Sequence, residues 1–101
     1  MSTRAHIEFV DEYGAKLCVD RSHDGFPEVV LPDIENTIEQ CEGKWSGSEI
    51  GQLVSYFLGS TWKENRRIQN YEPCHAKAGD ESYVYFVKYN KDKHLYEFGV
   101  Y

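Results

Sequence analysis

The spacing of the apolar residues changes twice along the chain, from strand-like to helical and back. Residues 3–10 and 94–101 alternate between two kinds of side chain, as do residues 16–21, which is the pattern of half-buried β-strands. Between them the apolar side chains recur every three or four residues, as on one face of a helix, at Ile50, Leu53, Val54, Phe57 and Leu58. This succession limits the chain to the α+β class.

A first helix is predicted after the turn-rich stretch of residues 21–33. Apolar residues at helical spacing indicate a helix from about Pro32 to Cys41, preceded by a turn at residues 27–31. Either of the two prolines in this stretch fits a first helical turn, where a missing amide hydrogen costs little, so the start stays open between them. Gly43 is expected to end the helix.

A second helix is the strongest single prediction from the periodicity. Residues 46–49 read Ser-Gly-Ser-Glu, a capping box that satisfies the first backbone amides of a helix. Its end is predicted between Gly59 and Asn65. Residues 68–71 indicate a short extra strand ahead of Pro73.

The C-terminal part reads as a second hairpin. Residues 82–89 carry apolar or aromatic side chains on both faces, which predicts a central strand, and residues 90–93 form the turn before the last strand. We therefore predict one α+β domain over residues 1–101. Its four- to five-stranded antiparallel sheet, in the order ββααββ, would be packed on one face by two helices.

The composition indicates a cytoplasmic protein. No apolar run approaches the roughly 20 residues needed to cross a bilayer, and the N-terminus lacks the apolar segment of a signal peptide. Three cysteines, an odd number without paired spacing, indicate reduced thiols. We therefore expect no membrane partner.

The charge is concentrated in the first part of the chain. Residues 1–42 carry three basic and ten acidic side chains, a net charge of −7, whereas residues 43–101 carry eight basic and seven acidic ones. Such a surface repels phosphates and favours basic partners, although acidic side chains also simply keep proteins soluble. The predicted partner-binding residues are Asp20, Asp24, Glu28, Glu35, Glu39 and Glu42.

An acid–base pair at His23 and Asp24 provides an alternative function. A carboxylate beside an imidazole raises the basicity of the ring, and Ser22 is an adjacent hydroxyl, so a small hydrolase or nucleotide-processing enzyme is conceivable. No phosphate-binding loop or nucleophile elbow accompanies the pair. An aspartate cap and a turn histidine explain the same residues, and we predict a protein that is not an enzyme.

Metal chemistry has weak support in the sequence. His6 and Glu8 resemble half of the deaminase metal motif, but Pro73-Cys74 lacks the second cysteine that the motif needs. Cys74 and His75 are neighbours on the chain and would point apart on a strand. No ligand spacing connects them to the other candidates, which are Cys18, His23 and His94. We predict no metal and no cofactor.

A basic and aromatic segment suggests a third function, nucleic-acid binding. Aromatic rings stack on bases and basic groups hold phosphates, and the residues that could do so are Trp62, Lys63, Arg66 and Arg67. The net charge of −6 argues against direct binding to nucleic acid.

Three short motifs carry a resemblance to a family of small bacteriophage and prophage proteins. They are residues 2–5 (Ser-Thr-Arg-Ala), residues 23–28 (His-Asp-Gly-Phe-Pro-Glu) and residues 31–33 (Leu-Pro-Asp). The resemblance covers the first forty residues and implies a phage origin. By analogy with small acidic phage proteins, it implies an inhibitor of a host defence complex in the host cytoplasm, such as an anti-CRISPR protein that mimics DNA charge.

Two copies could also pair through an open edge of the last strand.

Overall fold

The computed structural model describes residues 3–41, 50–62, 70–74 and 79–101. In chain order the elements are β1 (Ala5–Val10), β2 (Lys16–Arg21), α1 (Pro27–Cys41), α2 (Ile50–Ser60), β3 (Tyr71–Cys74), β4 (Tyr83–Asn90) and β5 (Leu95–Val100). The predicted α+β class is confirmed. Neither described helix is long and apolar enough to span a membrane.

The five strands form one mixed sheet in the order β3-β2-β1-β4-β5. β1 pairs antiparallel with β2, β2 with β3, and β4 with β5. β1 and β4 are parallel, with Ile7 opposite Tyr85, so the prediction of a wholly antiparallel sheet was wrong at this pair. The physical reason is the long connection through the helices and β3, which allows the second hairpin to dock in the parallel direction.

Both helices cover one face of this sheet, as predicted. Alternate side chains of β1 and β4 point to that face and pack against the buried side of each helix. The ring centroid of Phe57 in α2 lies 5.4 Å from that of Phe9 and 4.7 Å from that of Tyr71. The fully buried core side chains include Ile7, Phe9, Val19, Val30, Ile34, Leu53, Phe57, Tyr71, Tyr85 and Val87.

Helix α1 begins at Pro27, the earlier of the two prolines between which the sequence left the start open, so residues 27–31 are helical and not the separate turn that was predicted. The carbonyl of Phe26 accepts hydrogen bonds from the amides of Val29 and Val30, at 2.9 and 3.0 Å. Pro27 occupies the first helical position, where proline costs no hydrogen bond. Pro32 lies within the helix and is exposed.

Strand β3 also differs from its prediction. It begins at Tyr71 and continues through Pro73, whereas we predicted a strand at residues 68–71. An edge strand tolerates proline because one side of its backbone has no partner strand. Helix α2 ends at Ser60, within the predicted range, while the capping box at residues 46–49 lies outside the described residues.

The loop after β2 is tied to the sheet by backbone contacts at Gly25. Its amide donates a hydrogen bond to the Thr3 carbonyl at 2.9 Å, and the buried Tyr85 hydroxyl donates to the Gly25 carbonyl at 2.6 Å. Asp24 next to it has a positive φ of 54°, a conformation that aspartate tolerates better than most residues. This turn chemistry therefore has a structural role, since it positions the start of α1 against β1 and β4.

Candidate functional site

The exposed side of α1 carries three carboxylates, Glu28, Glu35 and Glu39, which we name the acidic face. Their separations of seven and four residues place them within about 40° of one another around the helix axis, along a stripe about 16 Å long. The opposite side of α1 is held in the core by Val30, Ile34 and Ile38 among others. The carboxylates are thus presented on a fixed surface.

None of the three carboxylates has a cationic neighbour within ion-pair distance among the described residues. The ion pairs found there join Lys16 to Glu8 at 3.2 Å and Arg4 to Asp80 at 3.4 Å, with two more at His6–Asp20 and Lys93–Glu97. Like charges four residues apart on a helix repel each other by about 0.2–0.5 kcal/mol. The acidic face therefore carries negative charge that no described cation neutralises.

The other predicted partner-binding residues lie elsewhere. Asp20 is half-buried on β2, and its Oδ1 lies 2.7 Å from Nδ1 of His6 on the sheet face turned away from the helices. Asp24 is exposed in the loop before α1. Glu42 lies outside the described residues. The structure thus brings together three of the six predicted residues on one surface.

The residues of the hydrolase alternative lie in the exposed loop after β2. Ser22 Oγ lies 3.1 Å from Nδ1 of His23, and Arg21 Nε donates a hydrogen bond to the His23 carbonyl at 2.7 Å. In the described part of the chain, Asp24 makes no hydrogen bond to the His23 ring. A catalytic imidazole is oriented by such a carboxylate, so this arrangement lacks the third member of a triad.

The nucleic-acid alternative falls largely outside the described residues, because only Trp62 of its four residues is described. Trp62 is 48 % exposed. It borders an apolar cavity of about 570 Å³ between the end of α2 and β3, lined by Leu58, Gly59, Trp62, Tyr71, Glu72 and Pro73. No pattern in the sequence predicts this cavity, because it depends on the pairing of β3 with β2.

Four side chains that the sequence does not link meet on the sheet face opposite the helices. His6 lies opposite Asp20, and Cys18 lies opposite Cys74, on three neighbouring strands. Nδ1 of His6 lies 3.7 Å from Sγ of Cys74. A ring nitrogen of His6 and the two sulfurs all lie within 4.8 Å of one another. We name His6, Cys18, Asp20 and Cys74 the thiol–imidazole cluster.

The surroundings of the cluster keep its thiols protonated at neutral pH. Burial raises the pKa of the Cys74 thiol to about 12, with a further contribution from the hydrogen bond to Asp20. Burial also raises the pKa of Cys18, and the negative charge of Glu8 adds to this effect. Protonated thiols are poor nucleophiles, so the cluster does not have the electrostatics of a reactive cysteine site.

The sequence analysis named Cys18 and Cys74 as metal candidates but paired them with other histidines. His23 is exposed in the loop after β2, His94 is exposed in the turn before β5, and His75 lies outside the described residues. His6, which had been considered only with Glu8, is 1 % exposed and completes the group instead.

The comparisons with known proteins give no match. No protein family model matches the chain, and the searches of curated proteins and of solved structures found no match. The resemblance to phage proteins therefore stays a prediction.

Proposed function

We propose that this chain is a non-enzymatic binding protein that engages a basic surface of a partner protein through the acidic face of α1. The observation that carries this proposal is the stripe of Glu28, Glu35 and Glu39, which no described cation neutralises. The partner that the phage resemblance implies is a host defence complex that binds nucleic acid. Such complexes are basic because they hold phosphates.

The placement of the acidic face supports recognition rather than solubility alone. The backbone of α1 is fixed by its buried side, so binding does not have to order the backbone and only the rotamer freedom of the glutamate side chains is lost. A patch of one sign also accelerates association with a partner of the opposite sign, and this acceleration falls as salt is added. Scattered surface charges would give solubility without the common orientation of these three side chains.

Affinity capture from a bacterial lysate tests the proposal. The tagged protein is compared with the variant Glu28→Gln, Glu35→Gln and Glu39→Gln at low and moderate salt, and captured proteins are identified by mass spectrometry. We expect one stoichiometric partner whose capture weakens with salt and is lost in the variant. With the purified partner, losing three charge pairs lowers the affinity about ten- to a hundredfold, at up to about 1 kcal/mol per pair.

A matched control removes the same charge from other surfaces. The control variant carries Glu12→Gln, Glu72→Gln and Asp92→Asn, three carboxylates outside α1. Undiminished capture by the control, together with loss in the acidic-face variant, supports this surface as the binding site. Equal capture of the partner by both variants would exclude the acidic face as the binding site.

A further inference from the structure

We propose that the thiol–imidazole cluster is a binding site for one zinc ion, with His6, Cys18, Cys74 and Asp20 as its ligands. This inference is independent of the partner-binding proposal, because the cluster lies on the sheet face turned away from α1. It also goes against the sequence-based expectation of no metal.

The distances fit a tetrahedral zinc site. With zinc–sulfur bonds of about 2.3 Å and zinc–nitrogen bonds of about 2.0–2.1 Å, a sulfur and a nitrogen ligand stand about 3.6 Å apart. Sγ of Cys74 and Nδ1 of His6 are 3.7 Å apart. Sγ of Cys18 lies within 4.8 Å of Sγ of Cys74 and of a ring nitrogen of His6. Side-chain rotation can reduce the sulfur–sulfur separation to the roughly 3.8 Å expected between two sulfur ligands.

Asp20 supplies the fourth ligand after a side-chain movement, because its carboxylate lies within 4.8 Å of a His6 nitrogen and a Glu81 oxygen but outside the group formed by His6 and the two sulfurs. Its Oδ1 lies 2.7 Å from Nδ1 of His6, closer than the roughly 3.4 Å that two ligands on one zinc ion require. The carboxylate needs to withdraw by about 0.7 Å, and the ion replaces the hydrogen bond between the two side chains. Asp20 is half-buried, which leaves it room to move, whereas His6 is fully enclosed.

The chemistry of the donors selects zinc over the hard cations. Sulfur and imidazole ligands favour zinc, whereas calcium and magnesium require oxygen ligands. Two thiolates and one carboxylate contribute three negative charges to a dication, and each thiol gives up its proton when the metal binds. Four protein ligands leave no open position for water, so the site is of the structural rather than the catalytic kind.

The cluster joins strands that are distant in sequence. β1, β2 and β3 each contribute at least one ligand, and β3 is the short edge strand of the sheet. A bound ion would hold β3 against β2 at the position of Cys18 and Cys74. Stabilisation of a folded protein by a bound ligand grows with the ligand concentration relative to the dissociation constant, so zinc should raise the melting temperature.

Metal analysis of the full chain tests the proposal. The protein is kept reduced with a non-chelating phosphine, loaded with Zn²⁺, dialysed, and measured by mass spectrometry for metal content. We expect one zinc ion per chain. Loading with Co²⁺ instead should give the intense visible bands of a tetrahedral ion and a thiolate-to-cobalt charge-transfer band. A chain that retains no metal, or a cobalt spectrum without the thiolate band, would overturn the proposal.

Three single variants separate this site from adventitious binding. Cys18→Ala and Cys74→Ala should each lower the zinc affinity at least about a hundredfold, at the upper end of the losses known for disturbed metal sites. Cys41→Ala is the matched control: it removes a thiol at the end of α1, outside the cluster, and should leave the affinity unchanged. Equal zinc binding by all three variants would refute the assignment.

A measurement on the unmodified protein covers the case in which a variant fails to fold. Iodoacetamide alkylation is followed at each cysteine by mass spectrometry, with and without zinc. Zinc should slow the reaction of Cys18 and Cys74 and leave that of Cys41 unchanged. Zinc that protects none of the three thiols would show that the ion does not bind the cluster.

Discussion

Gly25→Ala is predicted to destabilise the fold although it adds only one methyl group. The added Cβ would lie 2.7 Å from the Cβ of Ala5 and 3.0 Å from two backbone atoms, the Ala5 nitrogen and the Thr3 oxygen. Two of these three contacts are with backbone atoms, which cannot rotate away. The loop must therefore move off the start of β1, next to His6 of the thiol–imidazole cluster.

The size of the effect follows from three contributions. Overpacking of this kind costs about 1–3 kcal/mol. Moving the loop also weakens the hydrogen bond from the Gly25 amide to the Thr3 carbonyl, worth about 1 kcal/mol. Replacing glycine lowers the conformational entropy of the unfolded chain, which stabilises the folded state by about 0.4–1 kcal/mol. The net loss is about 2 kcal/mol, which lowers the melting temperature of a domain of this size by about 10 °C.

Thermal and urea unfolding followed by circular dichroism measure this loss. Gly51→Ala serves as the control, because its Cβ would meet nothing within 4 Å on the exposed side of α2. Alanine in a helix is favoured over glycine, so the control should gain about 0.5–1 kcal/mol. A Gly25→Ala protein as stable as the unchanged chain would refute the close packing of this loop on β1.

Two further predictions concern α1 and a buried tyrosine. Pro32→Ala should stabilise the fold by about 1–2 kcal/mol in urea unfolding, because the new amide can donate to the Glu28 carbonyl and the proline side chain is exposed. A loss of stability would contradict this. Burial raises the pKa of Tyr85 to about 12 from the ordinary 10.0. The unfolded chain therefore ionises first, so stability that is complete below pH 10 falls as the pH rises towards 12. Tyr85→Phe should reduce this alkaline loss without abolishing it, because burial also raises the pKa values of Tyr71 and Cys74. At neutral pH the variant should cost about 1–2 kcal/mol for the unsatisfied Gly25 carbonyl.

Local patterns were sufficient for the elements whose contacts are local. The first hairpin was predicted from the alternation of its side chains and from the turn between β1 and β2. In that turn Gly14 has a φ of 87°, and the Asp11 carboxylate accepts hydrogen bonds from the amides of Tyr13 and Ala15. Helix α2 was predicted from its apolar spacing and from the capping box that precedes it in the sequence. In both cases the residues that decide the structure lie within a few positions of one another.

The parallel pairing of β1 with β4 and the strand β3 were not predictable in the same way. Both hairpin patterns are satisfied by either relative direction, because alternation fixes which face a side chain occupies and not which neighbour a strand has. β3 has only four residues and contains Pro73, so its periodicity is too short to distinguish it from a loop. Tertiary packing decides both features.

The thiol–imidazole cluster also combines a part that local sequence patterns predict with a part that depends on tertiary packing. The hairpin register alone places His6 opposite Asp20 and on the same face as Cys18, so three of the four members of the cluster were accessible from the first 21 residues. Cys74 joins only through the pairing of β3 with β2, across more than fifty residues of sequence. A search for metal ligands by spacing could not find it, because the spacing is set by strand pairing and not by a local turn.

The charge of the first 42 residues also divides once the fold is known. From the sequence, the acidic side chains were predicted to form one surface. In the structure, strand alternation and helix periodicity place them on opposite sides of the sheet. Asp20 lies beside the imidazole and thiols of the cluster, while Glu28, Glu35 and Glu39 face outward from α1. We propose a metal ion as the partner of the carboxylate among the thiols. For the row of carboxylates, which has no ion-pair partner among the described residues, we propose a basic protein surface. Net charge predicts the sign of the charge on a partner. Only the topology separates the carboxylate beside the thiols from the carboxylates on the outer side of α1.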